Sequence, residues 1–336
     1  MPTPPTINPQ RVVIIDGPLP AQQRARLEAL SPTLRLVDGL TPAHLREAEV
    51  VFLGDGKIDP AAAAKLRWVQ FNSAGIGGLL GTALAASSIP VASASGAYST
   101  TVAEMALALL LALIRKLPDC RALQERRVWT ADVSPLCGQS CRGRTVGILG
   151  YGSIGREAAR LLQALGMRVL ACKRHPSERG ENRFHLPGTG DPTGVIPEAW
   201  YGFDQVETML RQTDVLLVTL PATSATRGLL QRRHLEALPR HALLISVGRG
   251  SVIEEAALAD LLGQGRLAGA GLDVTAEEPL AATSPLWTLP HVVITPHIAS
   301  YTVEQAALAS EVFIENMRRD LAGEPLLNLV DFAAGY

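Results

Sequence analysis

Thr145-Val-Gly-Ile-Leu-Gly150-Tyr-Gly152-Ser-Ile-Gly155-Arg156 is the stretch on which the reading of the chain turns. Thr145 to Leu149 is short, apolar and contains β-branched residues, the composition of a buried strand. It runs directly into Gly150, Gly152 and Gly155, spaced G-x-G-x-x-G. Arg156 to Leu165 follows as a helix, with Ala158, Leu161, Leu162 and Leu165 on one face. In that order the first glycine permits a tight turn. The second lets a pyrophosphate approach the backbone, and the third lets helix and strand pack closely. The helix start adds unpaired N–H groups and a positive dipole end. An ordinary strand–turn–helix connection can carry the same glycines, so the flanking elements matter. A second strand at Arg168 to Ala171 completes a βαβ unit, and the whole predicts dinucleotide binding.

Working outward, the unit continues through strands at Val215–Thr219, Ala242–Ser246, Gly269–Leu272 and Val292–Thr295. With the first two, that makes six, the count of a full dinucleotide-binding fold. His175 to Phe203 interrupts the series. It is rich in Pro, Gly and charge, and reads as a surface insertion too polar to pack, beside the adenosine end of a dinucleotide. The first hundred residues alternate strands at Val12–Ile15, Leu34–Val37, Val50–Leu53, Trp68–Phe71 and Val91–Ala94 with helices at Ala21–Leu30, Pro42–Glu47, Ala61–Leu66 and Gly78–Ala85. This alternation predicts a second parallel, doubly wound sheet. Its loop Asn72-Ser-Ala-Gly75-Ile-Gly-Gly follows a strand, where open α/β sheets bind ligands. It is either a cradle for a small anion or a plain flexible connection. A long helix spans Thr101 to Leu117, with Thr100 or Thr101 as N-cap, Glu104 as capping-box partner and Pro118 as terminator. A final helix, Val303 to Leu321, is expected to return to the first sheet and make that domain discontinuous.

The totals exclude several classes. At 336 residues two domains are the default. A formal charge of −1 gives no reason to expect nucleic acid or an anionic membrane as partner. Cys120, Cys137, Cys141 and Cys172 form no C-x-x-C pair, and the Cys137/Cys141 spacing has no matching Cys or His pair elsewhere. No metal is expected, and reduced thiols place the protein in the cytoplasm. Met1 to Gln10 has no basic or apolar segment of the kind a secretory signal needs. The most apolar run, Met105 to Ile114, is half the length of a membrane span of about 20 residues. A helix apolar all round is instead buried, between domains or between subunits.

The strands of the glycine-turn unit deliver polar groups at their carboxyl ends. One ends Ser246-Val-Gly-Arg249-Gly250, the next gives Asp273 followed by Glu277 and Glu278, and the last gives Pro296-His297. In a parallel sheet these ends share one edge with Gly150 to Gly155. Singly, each has an ordinary reading as a solvated arginine, a helix-start charge or a packed histidine. Together a cation, a carboxylate and a histidine are what reduction of a 2-oxo acid needs. The guanidinium fixes the carboxylate bidentately. The imidazole gives a proton to the carbonyl oxygen as hydride arrives. An adjacent carboxylate favours the charged imidazole.

With these residues in place, the chain resembles the D-isomer-specific 2-hydroxyacid dehydrogenase family over nearly its whole length. The resemblance runs through Ser73-Ala-Gly75, Val102-Ala-Glu104, Gly150-Tyr-Gly-Ser-Ile-Gly155, Leu220-Pro221 with Thr226-Arg-Gly228, Ser246-Val-Gly-Arg249-Gly250, Asp273-Val with Glu278-Pro279, and Pro285-Leu-Trp287 before Thr295-Pro-His297. It implies two doubly wound α/β domains with a cleft between them. One is a Rossmann dinucleotide-binding domain over 101–298. The other is a flavodoxin-like substrate domain over 1–100 plus 299–336. It implies Arg249 as the group that binds and polarises the 2-oxo acid, and His297 as acid/base paired with Glu278. The backbone of Ala74, Gly75 and Ile76 would hold the substrate carboxylate. Ser153 and Ile154 would cover the pyrophosphate. Leu220, Pro221, Thr226, Val247, Gly248, Arg249, Asp273 and His297 would line the cofactor groove with Gly150, Gly152 and Gly155. Closure of the domains would exclude water, and the apolar 101–117 helix would pack against its mate in a homodimer. The formate-oxidising branch resembles the chain less, because it has glutamine in place of Glu278.

One departure bears on the cofactor. The second strand of a dinucleotide fold ends in an acidic residue for the ribose 2′-hydroxyl of NAD. Here it ends Ala171-Cys172-Lys173-Arg174, two cations that would attract a 2′-phosphate. NADP(H) is therefore the favoured cofactor, with NAD(H) possible. The substrate is a small 2-oxo or 2-hydroxy acid. The side chains meeting its C3 substituent are expected from loops near Phe52, Leu53 and Tyr98, or from a partner subunit, and none of these three is charged, which argues against a phosphorylated substrate. A dinucleotide-sensing, corepressor-like binding protein without turnover is the alternative.

Overall fold

Runs of four or five apolar residues, bounded by polar turns, set the strands of both sheets. The computed structural model describes residues 10–55 and 57–336. The reading of the extreme N-terminus as lacking a secretory signal therefore falls, but for Gln10, outside the described residues. The chain divides into two units, one reaching Tyr98 and resuming over Thr302–Tyr336, the other Ser99–Tyr301.

The first unit follows the sequence β1 (Arg11–Ile15), α1 (Ala21–Glu28), β2 (Leu34–Asp38), α2 (Pro42–Glu47), β3 (Val50–Leu53), β4 (Trp68–Phe71) and β5 (Val91–Ala92). All pair in parallel in the order β2-β1-β3-β4-β5, the flavodoxin-like order. β3 and β4 are buried at every residue, as a parallel sheet covered on both faces requires. The C-terminal helix, Gln305–Ala322, belongs to this unit. Its Phe313 stacks on Phe52 with ring centroids 4.8 Å apart. Its Asn316 donates to Oε1 of the fully buried Gln70 at 2.9 Å. Two helices expected from the sequence are not formed. Only one 3₁₀ turn stands within each region, at Pro60–Ala62 and Gly77–Leu79. Gly77, Gly78 and a left-handed Gly81 stand at the start of the second, where helix propagation is weakest.

The second unit opens with α3 (Ser99–Ile114) and α4 (Leu117–Glu125). α3 begins and ends earlier than the sequence suggested. Pro118 does not terminate it but sits in the first turn of α4, where its missing N–H costs nothing. Then come β6 (Thr145–Leu149), α5 (Ser153–Ala164), β7 (Arg168–Cys172), β8 (Ala199–Tyr201), α6 (Val206–Leu210), β9 (Val215–Val218), α7 (Arg232–Ala237), β10 (Leu243–Ser246), α8 (Glu255–Gly263), β11 (Gly269–Leu272) and β12 (Val292–Ile294). The sheet is parallel throughout, in the order β12-β11-β10-β9-β6-β7-β8. The direction of winding reverses between β6 and β9, the switch point where such sheets take ligands. No helix among the described residues is long and apolar enough to cross a membrane.

The seventh strand, β8, comes from the stretch read as an unpacked insertion, and the rest of that stretch is docked as well. Arg156, in the first turn of α5, is 2 % exposed and projects into it. Its guanidinium donates to the carbonyls of Asp191 at 2.5 Å and Arg179 at 2.7 Å, and Nε lies 2.9 Å from Glu181. Tyr151, also buried, donates to Asp191 at 2.8 Å and meets Trp200 edge to face at 5.0 Å. Glu157, fully buried, accepts from Gly190 N at 2.6 Å and pairs with Arg160 at 2.6 Å. Gly194, at φ +69°, closes the arm where a Cβ would stand 2.3 Å from Arg179 O. The polar composition was read correctly, but its consequence was not. Charged side chains from the core helix supply the partners that apolar contacts would otherwise replace.

Arg156→Met should therefore cost about 2–3 kcal/mol, because it leaves two carbonyls of the arm without their donor and removes one partner of the half-buried Glu181. Urea unfolding measures the loss, and limited proteolysis should cut first within 175–198. A variant within 1 kcal/mol of the parent, using the linear extrapolation, would show the arm to be held by something else.

Candidate active site

The glycine turn has the geometry its spacing implies. Gly150 adopts φ +107°. A Cβ on Gly155 would stand 2.4 Å from Gly150 O, so only glycine lets α5 start directly above β6. Gly152 is the N-cap of α5 and offers no side chain to its first-turn N–H groups. Ser153 Oγ is buried with no hydrogen-bond partner among the described residues. Exposed Gly152, half-buried Ser153 and Ile154, and an uncapped helix end fit a dinucleotide pyrophosphate by their donors and by the room above them.

Across the switch point, β9 runs into Thr219-Leu220-Pro221, where Thr219 Oγ1 donates to Gly150 O at 2.5 Å. Thr226 is buried and its hydroxyl is used inside its own loop, donating to Pro221 O at 2.6 Å and accepting from Thr223 N at 2.8 Å. It shapes the wall rather than presenting a free donor. Val247 and Gly248 continue from β10. A Cβ on Gly248 would lie 2.6 Å from Leu220 O, so the two loops touch by backbone. Arg249 is half-buried in extended conformation, and its guanidinium donates to Gly248 O at 2.7 Å. Gly250 behind it is pressed against Thr275, whose carbonyl carbon would be 2.0 Å from a Cβ.

His297 and Glu278 meet. Nδ1 of the imidazole lies 2.7 Å from Glu278 Oε2, with both side chains about two-fifths exposed. Glu278 Oε1 accepts from Thr275 N at 3.2 Å, which orients the carboxylate. Glu277 instead contributes its carbonyl to Thr275 Oγ1, so the neighbouring acid is not interchangeable with it. With Nδ1 committed to the carboxylate, Nε2 is the nitrogen left to work. His297 has a left-handed backbone, φ +54°, unusual for a residue with a side chain.

Asp273 holds that backbone. Only 1 % exposed, it accepts from Thr295 Oγ1 at 2.6 Å, Ile298 N at 3.0 Å and Ala299 N at 3.0 Å, and its carbonyl takes His297 N at 2.8 Å. The sequence suggested Asp273 as a groove-lining group. Its carboxylate is instead largely occupied in tying the end of β12 to the end of β11. Thr295, whose hydroxyl binds Asp273, is a site residue that sequence reasoning missed, and a hydroxyl two residues before the histidine is the available signal.

Other expected residues lie elsewhere. Phe52 and Leu53 themselves are fully buried in the first unit's core. Tyr98 is 8 % exposed and donates to Asn72 O at 2.8 Å, and burial pushes its phenol up to about 12. Ala74, Gly75 and Ile76 follow β4 in that unit, with Ala74 exposed and Ile76 buried. At the end of β7, Arg174 is exposed, but Lys173 donates to Glu178 O at 2.8 Å, and burial lowers its ammonium pKa. Among the described residues no three His, Cys, Asp or Glu side chains are grouped to hold a metal ion.

Comparison with known proteins gives concordant results. Residues 107–299 match the family model described as D-isomer specific 2-hydroxyacid dehydrogenase, NAD binding domain. The chain is 32 % identical over 331 residues to glyoxylate/hydroxypyruvate reductase B of Serratia proteamaculans (strain 568), covering 95 % of this chain and 97 % of that one. A crystal structure of a D-isomer specific 2-hydroxyacid dehydrogenase family protein from Aeromonas salmonicida subsp. salmonicida A449 superposes with TM-score 0.77 at 32 % identity, over 96 % and 99 % of the two chains. An NADPH-dependent glyoxylate/hydroxypyruvate reductase from Sinorhizobium meliloti, solved with NADP and sulfate, is similar at TM-score 0.74 and 28 % identity, over 97 % and 100 %.

Asp273→Asn should loosen the histidine's loop without unfolding the sheet. Losing a charged acceptor of three donors should cost roughly 2 kcal/mol locally and speed exchange of the His297, Ile298 and Ala299 amides about thirtyfold. Unchanged protection at those amides would mean Asp273 is not what fixes them.

Proposed function

The chain belongs to the D-isomer specific 2-hydroxyacid dehydrogenase family, and we propose that within it the protein reduces a small 2-oxo acid of the glyoxylate or hydroxypyruvate class to its D-2-hydroxy acid with NADPH. The observation that carries the reading is the 2.7 Å His297–Glu278 pair, on the same sheet edge as an uncapped glycine-turn helix. A bound nicotinamide dinucleotide supplies the hydride for C2, and the first turn of α5 holds its pyrophosphate. Arg249 takes the 2-oxo acid by charge-assisted hydrogen bonds and draws electron density toward the carbonyl oxygen. The backbone N–H groups at Ala74, Gly75 and Ile76 serve the substrate carboxylate. The protonated His297 gives the Nε2 proton to the carbonyl oxygen and keeps Nδ1–H on Glu278. Glu278 thus fixes both tautomer and ring plane, and Asp273 fixes the loop that carries the ring.

The preference for NADPH rests on Lys173 and Arg174, in a strand end without a carboxylate, and the Sinorhizobium relative is named as NADPH-dependent. Lys173 must give up the carbonyl of Glu178 to reach a phosphate. We further infer a cytoplasmic homodimer. α3 leaves Met105, Ala108, Leu111 and Ala112 incompletely covered along one stripe. Leu117, Val133 and the fully exposed Trp129 add apolar surface in the segment that follows.

The test is loss of NADPH absorbance with glyoxylate, hydroxypyruvate and pyruvate. His297→Asn should lower kcat about 100- to 10,000-fold while NADPH still binds. An asparagine variant that turns over like the parent removes the proposed acid. A KM for NADH at or below that for NADPH removes the cofactor preference. Dinucleotide binding with no turnover of any 2-oxo acid would favour a sensing role instead.

A further inference from the structure

The first unit carries the loop proposed for the substrate carboxylate, and the end of the chain returns to support it. After the C-terminal helix, residues 327–330 turn back along β5, the edge strand of their sheet. Leu329 and Ala92 form an antiparallel bridge, and Val330 N donates to Val91 O at 2.8 Å. Val330 and Phe332 pack against the apolar cluster that contains Val51, Val69 and Val91. The tail is therefore anchored by apolar contact as well as by backbone pairing, and it covers an edge that would otherwise stand open.

Asn328 stands at the centre of this return. It is buried and left-handed, φ +59°, a conformation asparagine tolerates better than most residues. Its side-chain amide donates to Ser95 O at 2.7 Å and to Ser93 O at 3.3 Å, and its carbonyl accepts from Ser93 N at 3.0 Å. Asn328 thus fixes both ends of a three-residue stretch. In its middle, Ala94 N donates to Ser73 O at 3.0 Å, and Ser73 leads directly into Ala74, Gly75 and Ile76. Among the described residues, the N–H groups of those three donate to no backbone carbonyl. The other approach to the loop is anchored too. Leu327 N donates to Asn316 Oδ1 at 2.8 Å, and Asn316 donates to Gln70 of β4, the strand that runs into the loop. One hold passes through β4 and the other through residues 93–95, and both trace back to Leu327 and Asn328.

We propose that Asn328 is a positioning residue for binding of the 2-oxo acid. Its amide fixes residues 93–95, Ala94 transmits that position to Ser73, and the N–H groups that follow are aimed at the substrate carboxylate. The role rests on the reading of the Ala74, Gly75 and Ile76 backbone as the carboxylate's cradle. A cradle of backbone donors needs such support, because it holds an anion only while consecutive N–H groups converge on one point. Asn328 acts through the backbone and not on a reacting atom, so its loss weakens substrate binding and leaves the chemistry in place.

Asn328→Gly keeps the left-handed backbone and removes the amide donors. It should raise KM for glyoxylate and Kd for oxamate, an unreactive analogue of the 2-oxo acids, about tenfold, with kcat within about twofold and the NADPH affinity unchanged. Asn328→Asp puts an acceptor where Ser95 O needs a donor and should raise both constants further. Parent-like KM and oxamate affinity in a folded Asn328→Gly protein overturn the role. So does an equal loss of NADPH affinity, or a fall confined to kcat. The parent protein supplies a check that needs no variant. With NADPH present, oxamate should slow hydrogen exchange at the Ser93 and Ala94 amides, because a ligand that favours the ordered loop favours its supports equally. Exchange that oxamate leaves unchanged at both amides overturns the role. Failure of the carboxylate reading itself looks different, since the parent would then bind NADPH but neither bind oxamate nor reduce any 2-oxo acid, and the positioning role would fall with it.

Discussion

The larger unit's functional edge depends on a close approach of backbone to backbone at the glycine turn. α5 starts so near the end of β6 that the carbonyl of Gly150 occupies the space a Cβ on Gly155 would need. Because of that proximity, the first-turn N–H groups of α5 point over the carboxyl edge of the sheet rather than past it. The parallel order then fixes the remainder. Strands β9, β10, β11 and β12 all deliver their following loops to that same edge, so Leu220, Arg249, Asp273 and His297 are strung along the edge that holds the turn through topology alone. A bulkier residue at 155 would lift the helix and separate the donors from everything else the edge collects.

Support for the histidine is layered in a comparable way. His297 sits in a backbone conformation that L residues rarely adopt, and such a conformation persists only when its surroundings over-determine it. Asp273 does so with one buried carboxylate and one carbonyl, and Thr295 completes the set. Glu278 is set within the same loop after β11, through Thr275. The imidazole is thus held from two directions, ring by Glu278 and backbone by Asp273.

Most of this was legible in the sequence where a residue's meaning is set by its immediate neighbours. Strand positions followed from short β-branched runs, the turn from glycine spacing, the gathering of acid and histidine at one edge from their places after successive strands, and the choice of Glu278 as partner from the family resemblance. Reading failed where meaning depends on partners distant along the chain. Arg156 reads as an ordinary solvated helix residue, because nothing adjacent to it announces Asp191, Arg179 or Glu181. Phe52 and Leu53 end a strand, like the functional residues, yet they turn inward to meet Phe313 and the core. The expected helix at Gly78–Ala85 failed to form for a local reason, since glycines at 77, 78 and 81 leave too few residues to repay nucleation.

The docked arm shows why composition alone misjudges a polar insertion. A segment with few apolar side chains cannot offset its ordering entropy by burial of its own surface. It can still be ordered if the host supplies charges already fixed in a rigid element, because their entropy is largely lost when the helix forms. Arg156 and Glu157 are such charges, on a helix turn that must be rigid for the reason given above. Each also carries a desolvation penalty that the arm's carbonyls and N–H groups relieve, so helix and arm satisfy each other. The arm is therefore best regarded as part of the α5 terminus. Whatever disturbs that terminus, a bound anion included, acts on the arm through the same side chains.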